Sequence, residues 1–303
     1  MHTVKWARVV RTTMSRPSLA GPRVTLRGQG LPAADCGADV RRGHPRPAPT
    51  LVIVLILLPP SEGKTPPTAG APVDLAALSH PSLTGARERV GTALAKVSGQ
   101  RNAFDVLDVG PSLHDEVEHN RTLWANPADV AARVYSGVLY DAAGAADWDG
   151  AALARAAERI RIVSALWGAV SPADRIPAYR LSMSTSLGRI GALASFWRQH
   201  LAADLSHLAG DGIIVDCRSS SYVAAWRPTG HPCVAVRVER ELHGKRSVVS
   251  HMAKHTRGLL AGALVDADTA PATASDVADV ARALPGVIDL VSTDKELTIV
   301  LAG

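Results

Sequence analysis

The stretch LVIVLILLPPSEGKT, residues 51–65, decides how this chain is to be read. Its eight apolar residues, Leu51 to Leu58, fall about ten short of the roughly 18 needed to cross a bilayer. The run ends abruptly at Pro59-Pro60, so it reads as a buried strand that opens a folded domain. Beyond the Pro/Gly loop 59–72, helix-like and strand-like segments alternate, the signature of an α/β fold. Helices are expected at 81–98, 112–120, 149–159, 191–208, 252–264 and 274–284. One more is expected at 127–134, with Asn126 as cap and Pro127 at its first position. Strands are expected at 160–166 and 212–217, and the period-two run 233–241 should form a hairpin with 246–250 through His243-Gly244. VIDLVS and ELTIVL should form a second hairpin around Thr293-Asp294-Lys295. With no internal repeat and no Gly/Ser linker, residues 51–303 are expected to form a single compact α/β domain, a mixed sheet with surrounding helices.

Upstream of the strand the pattern changes. Residues 1–50 mix Arg, Pro, Gly and Thr without apolar period and carry nine Lys/Arg against two Asp, a net of +7. Such a segment cannot offset its ordering entropy by burial, so it is expected to be a disordered basic leader. It is either an arm that grips phosphate or a leader outside the fold arising from an over-extended translation start. The second is favoured, because Val52 or Val54 would start the chain directly on the first strand.

The whole chain of 303 residues has a formal charge of +5, so residues 51–303 hold a net of −2. The body is therefore not a basic protein, and any nucleic-acid reading must rest on local clusters. Three cysteines, Cys36, Cys217 and Cys233, are too few and too scattered for a disulfide framework or a four-ligand zinc site, which fits a reducing compartment. No apolar segment of signal-peptide type precedes the first strand, so a cytoplasmic location and no membrane partner are expected.

Several motifs invite a chemical reading. Gly63-Lys64-Thr65 follows a strand, but a P-loop requires glycine where Leu58 stands and a helix where Pro66-Pro67 begins another loop. Lys64 still offers a cation at the carboxyl end of a strand, the edge where open α/β sheets place ligands. His251 and His255 stand four apart on a helix without the glutamate a zincin base requires, so no metal site is expected. Asp115, Glu116, Glu118 and His119 read as a solvated helix face. Ser219-Ser220-Ser221 could hold a nucleophile or an anion-binding turn, although a plain polar turn is the simpler reading. In LWGAVSPADRIPAYRLSM (166–183), Asp174, Arg175, Tyr179 and Arg180 gather around Pro177, an arrangement suited to phosphate contact, although on spacing alone a structural turn is the favoured reading.

Taken together, LPPSEGKT (58–65), VYSG (134–137), SALWGAVSPADRIPAYRLSM (164–183), Phe196-Trp197 and AKHTRG (253–258) resemble the YaaA family of bacterial peroxide-stress proteins, in order and spacing, from residue 51 to the end. The resemblance implies a compact α/β fold carrying a helix-hairpin-helix-like DNA-binding element at 164–183, and a role in limiting iron-driven DNA damage. It also implies that Lys64, Lys254 and Arg257 line a common cleft. VDCRSSSY (215–222) keeps Ser219 and Tyr222 but departs from a more acidic version of that segment.

The leading expectation is a cytoplasmic, monomeric protein that needs no cofactor and binds double-stranded DNA non-specifically. Lys64, Arg175, Arg180, Lys254 and Arg257 would meet phosphate, and Tyr179 would be available for stacking. The alternative is an enzyme acting on a nucleobase or nucleotide in the Lys64/Lys254 cleft, with Lys64, Asp216 and Ser219 as candidate catalytic groups and Asp216 as acid/base. A third reading is an iron-handling protein without DNA contact. Crowding of the three cations should lower the pKa of one lysine.

Overall fold

The computed structural model describes residues 54–303; the expectations for residues 1–50 lie outside them. The first strand, Leu55–Leu58, is buried along its whole length, as an unbroken apolar run requires when both faces of a sheet are covered. It pairs in parallel with Ile160–Ser164 on one side and Ile214–Asp216 on the other. Cys233–Leu242 lies parallel beyond Ile214–Asp216, and Glu296–Ala302 parallel beyond that. Five parallel strands thus form the centre of a mixed eight-stranded sheet. Its antiparallel members are Gly168–Val170 and Val287–Ser292 at the two edges, with Lys245–Val248 paired to the outer half of Cys233–Leu242.

This order creates a switch point. The chain leaving Leu58 returns on the Ile160–Ser164 side, whereas the chain leaving Asp216 continues to the Cys233 side. Loops that follow neighbouring parallel strands and diverge leave a crevice between them at the carboxyl edge.

Helices Thr84–Ser98, His114–Arg121, Gly150–Arg159, Leu193–Ala209, Ser250–Asp266 and Ala274–Arg282 match the periodic segments. Two short helices, Ala103–Leu107 and Val138–Ala142, fall in segments where the pattern showed none. The expected helix 127–134 is shorter than its caps suggest. Asp129–Val130 is extended and pairs with Arg175–Ile176, leaving only Ala131–Val134 helical. Long-range pairing here overrides local propensity.

The largest departure concerns 164–183, which contains no helix, so no helix-hairpin-helix-like element is formed there. The strand stops at Ser164, whose Oγ accepts from the backbone N–H groups of Leu166 and Trp167 and folds the chain back into Gly168–Val170. Gly168 sits at φ 73°, and a Cβ there would lie 2.5 Å from the Trp197 ring, so both backbone angle and packing demand glycine. Asp174 accepts from the N–H and hydroxyl of Ser79 and from the N–H of Ser171, pinning the turn to the segment before helix Thr84–Ser98. Residues 160–172 are buried throughout, which makes this segment part of the core and not a protruding hairpin.

A second close approach sets the position of helix Ser250–Asp266. Gly258 and Gly262 lie one turn apart, and a Cβ on Gly262 would come within 2.8 Å of the Ala143 carbonyl oxygen. A Cβ on Gly258 would strike the Leu139 carbonyl oxygen outright. Glycine at both positions lets this helix touch the backbone of Val138–Ala142. Arg159 donates to the carbonyls of Leu264, Val265 and Ala267 and closes the helix's far end. Among the described residues no helix is long and apolar enough to cross a membrane.

Candidate functional site

A cavity of about 530 Å³ opens where the loops after Leu58 and Asp216 diverge. Residues 59–63 and Cys217, Ser219, Ser221 and Tyr222 come from those loops, while 136–140, 180–182 and Ser184 supply further wall. The helix Ser250–Asp266 contributes Lys254 and Arg257. The two glycines described above therefore have a functional consequence: they bring these cations beside Ser136–Tyr140. The Tyr140 hydroxyl donates to the Pro59 carbonyl at 2.8 Å, and the Ser136 N–H donates to Ser61 Oγ at 3.1 Å, tying that wall to the loop after the first strand.

The cations differ in their commitments. Arg180 is held by a two-way clamp on its backbone: Asn120 Nδ2 donates to its carbonyl at 2.9 Å, and its N–H donates to Asn120 Oδ1 at 2.8 Å. Its guanidinium faces Glu62, with Nη1 3.3 Å from the Glu62 carbonyl oxygen and Nη2 3.9 Å from the carboxylate. Arg257 donates from Nε and Nη2 to the Val236 carbonyl, which anchors it without neutralising it. Lys254 is exposed. No carboxylate among the described residues pairs with Lys254 or Arg257.

Lys64, expected to share a cleft with Lys254 and Arg257, does not line this cavity but lies just behind its wall. It is partly buried, and its ammonium donates to the carbonyls of Ser61 at 2.8 Å and Glu62 at 3.4 Å. It packs 4.2 Å from the centroid of the Tyr179 ring and 5.5 Å from that of Tyr135, both cation–π distances. Burial, then the nearby Arg180 charge, lower its pKa to about 7, while Glu62 acts in the opposite direction. Desolvation outweighs the crowding of cations anticipated from the sequence.

Three expected site residues take other roles. Tyr179 is 3% exposed, its hydroxyl bonded to Ser164 Oγ at 2.7 Å and Tyr135 Oη at 2.9 Å, so its ring cannot stack on a base. Arg175 points away from the cavity, bonding Asp129 Oδ1 and the Ala128 carbonyl, because the short strand pairing carries it there. Asp216 is buried in a bidentate pair with Arg218, at 2.8 and 2.7 Å, and Arg218 also donates to the Trp226 carbonyl at 2.9 Å. That carboxylate fastens the 217–226 loop and is not available as an acid/base. Ser219 is exposed and lines the cavity, but no base stands beside it among its hydrogen-bond partners. Cys217 is buried at the cavity wall, and burial pushes its thiol up to about 12, which keeps it protonated and unreactive.

The sequence also left residues unremarked. Asn120 positions Arg180 although it lies 60 positions away, and Asp108, at φ 53° on the cavity wall, ends a helix that no pattern announced. His251 and His255 lie exposed on their helix. No cluster of three or more potential metal ligands is present among the described residues.

The sequence model of the family described as peroxide stress protein YaaA matches residues 54–282, which contain every wall of the cavity. The chain belongs to the YaaA peroxide-stress family. Its similar relatives include a UPF0246 protein of Streptomyces coelicolor, 42% identical over 234 residues, covering 76% of this chain and 90% of the relative. A UPF0246 protein of Corynebacterium efficiens is 42% identical over 252 residues, covering 82% of this chain and the full relative. One from Corynebacterium glutamicum is 38% identical over 254 residues, with the same coverage.

Proposed function

We propose that this member of the family acts in the cytoplasm as a non-specific DNA-binding protein that limits iron-driven oxidative damage during peroxide stress. The observation that carries the reading is the pair Lys254 and Arg257, two cations without a carboxylate partner among the described residues, set three residues apart on one helix beside a concave, hydroxyl-lined cavity. Crowding like charges gains nothing unless an anion completes them. Phosphate is the anion that guanidinium and ammonium groups meet most readily in nucleic acid. Arg180, partly neutralised by Glu62, supplies a weaker third contact. The recruitment of Asp216 into a structural ion pair removes the acid/base on which a nucleobase-processing reading depended, so binding without turnover is the better supported activity.

The test is salt-dependent binding of the full chain to a short duplex. Affinity should fall with salt at a slope corresponding to about one or two phosphates. Lys254→Ala should lower affinity by a similar factor on unrelated sequences. A salt-independent affinity, or a Lys254→Ala protein that binds as the parent does, would remove this reading.

A further inference from the structure

Cavity shape and charge together narrow what the site holds. Among the described residues, five charged ones line it: Glu62, Asp108, Arg180, Lys254 and Arg257. Glu62 and Arg180 answer one another, which leaves Lys254 and Arg257 against Asp108. That balance suits one phosphate group and is too small for a di- or triphosphate, whose further charges would meet no cation and one carboxylate. Side chains three apart on a helix are neighbours, so Lys254 and Arg257 can share the oxygens of a single phosphate.

The remainder of the cavity is not an ion site. A phosphate alone would fill a small part of about 530 Å³. Pro60, Leu107, Val138, Leu139 and Leu181 supply an apolar part of the lining, which offers no partner to the hydroxyls of a polyol. A flat heterocycle meets that surface without such a cost. Tyr222, half-buried and lining the cavity, offers the aromatic face that Tyr179 cannot. Ser182, Ser184 and Ser221 line the same space; the Ser182 and Ser184 hydroxyls bond one another at 2.8 Å but keep further hydrogen-bonding capacity, so the three can meet the edge of a base without selecting one.

We infer that the cavity is built to hold one nucleoside monophosphate unit, a single nucleotide turned out of a nucleic-acid strand, with its phosphate on Lys254 and Arg257 and its base against Tyr222 and the apolar lining. A base still paired in a duplex could not enter, because the stack and its partner are much larger than the cavity. The cost of turning a nucleotide out is least at mismatched, damaged or single-stranded positions, so the site would favour distorted DNA while ignoring base identity. This inference rests on the proposed function only for the strand that presents the nucleotide; the chemistry of the cavity stands by itself.

The experiment uses the full chain, with dAMP, dTMP, dATP and inorganic phosphate as probes in calorimetry, and a duplex carrying 2-aminopurine opposite a mismatch in fluorescence. Expected are comparable affinities for dAMP and dTMP, no gain for dATP, and at least tenfold weaker binding of phosphate alone. Lys254→Ala should weaken dAMP binding about tenfold, and Ser221→Trp, which fills the cavity without altering its charge, should abolish it. The 2-aminopurine signal should rise several-fold with the parent and stay flat with Ser221→Trp, whose urea midpoint reports that it is folded. Equal affinity for phosphate and dAMP, a large preference for dATP, or dAMP binding that survives both substitutions would overturn the inference. Duplex binding with a flat 2-aminopurine signal and no dAMP affinity would overturn it while leaving DNA binding intact. Binding of dAMP as expected with no duplex affinity would uphold the cavity's ligand and remove DNA as its source.

Discussion

Replacing Gly258 by alanine tests how the cavity is assembled. In an exposed helix the change should stabilise the protein by about 0.8–1 kcal/mol, because alanine loses less backbone freedom. At Gly258 the added Cβ collides with the Leu139 carbonyl oxygen, and it lies 3.0 Å from the Leu139 carbonyl carbon and 2.9 Å from the Ala142 Cβ. These are mostly backbone atoms, held further by the Tyr140 hydroxyl on the Pro59 carbonyl, so the neighbour cannot yield without moving a whole helix. Overpacking of this kind costs about 1–3 kcal/mol, and the upper part of that range applies where backbone must shift. The net expectation is a loss of about 2 kcal/mol, read as a lower urea midpoint. Gly85 provides the control: it lies in helix Thr84–Ser98 with nothing within 4 Å of a built Cβ, so Gly85→Ala should be neutral or slightly stabilising. Because Lys254 and Arg257 ride on the displaced helix, Gly258→Ala should also weaken duplex binding, whereas Gly85→Ala should leave it unchanged. A Gly258→Ala protein as stable as the parent would refute the argument that backbone contact sets this helix.

Further outcomes follow from other parts of the structure. Lys64, with a pKa near 7 when folded against 10.5 as its ordinary value, binds its proton more weakly in the folded state. Its contribution is therefore greatest above pH 10.5, is lost as pH falls toward 7, and is constant below that, with a slope of at most about 1.4 kcal/mol per pH unit. Lys64→Met should accordingly gain stability relative to the parent as pH falls from 10 to 7, and a difference that does not change with pH would contradict the enclosed ammonium. Asp216→Asn removes the partner of the buried Arg218 guanidinium and should cost about 3–5 kcal/mol by chemical denaturation. A stable Asp216→Asn protein with altered binding alone would reopen a direct role at the site. Gly168→Ala must accept both φ 73° and the Trp197 ring, so it should destabilise by about 3 kcal/mol or more, whereas an unchanged melting temperature would show that the turn is not under this constraint.

Taken from residue patterns, the class of fold was within reach. An apolar run that ends at Pro59-Pro60 has few outcomes other than a covered strand, observed at Leu55–Leu58, and the period-two segment ending at His243-Gly244 has few outcomes other than a hairpin. Amphipathic segments such as 191–208 bury Leu193, Phe196, Trp197, Leu201 and Leu205, as a 3.6-residue period dictates. These features are local, and local chemistry suffices to set them. The short helices Ala103–Leu107 and Val138–Ala142 escaped because a helix of one turn lacks enough residues to show a period and is held by its neighbours.

The site divides along the same line. That Lys64 follows a strand at the ligand edge of a sheet was legible, and so were Lys254 and Arg257 as helix neighbours. What each side chain faces depends on partners tens to hundreds of positions away. Only the folded chain decides that Asn120 clamps Arg180, that Ser164 and Tyr135 occupy the Tyr179 hydroxyl, and that Arg218 consumes the Asp216 carboxylate. The sequence by itself determined the periodicities, the strand edges and the inventory of charged groups, because these are set by residues adjacent along the chain. Tertiary structure alone decided which charges are cancelled and which are left facing the cavity, because electrostatic neutralisation depends on distance in space, and the sheet's switch point brings residues 62, 180, 254 and 257 to one place.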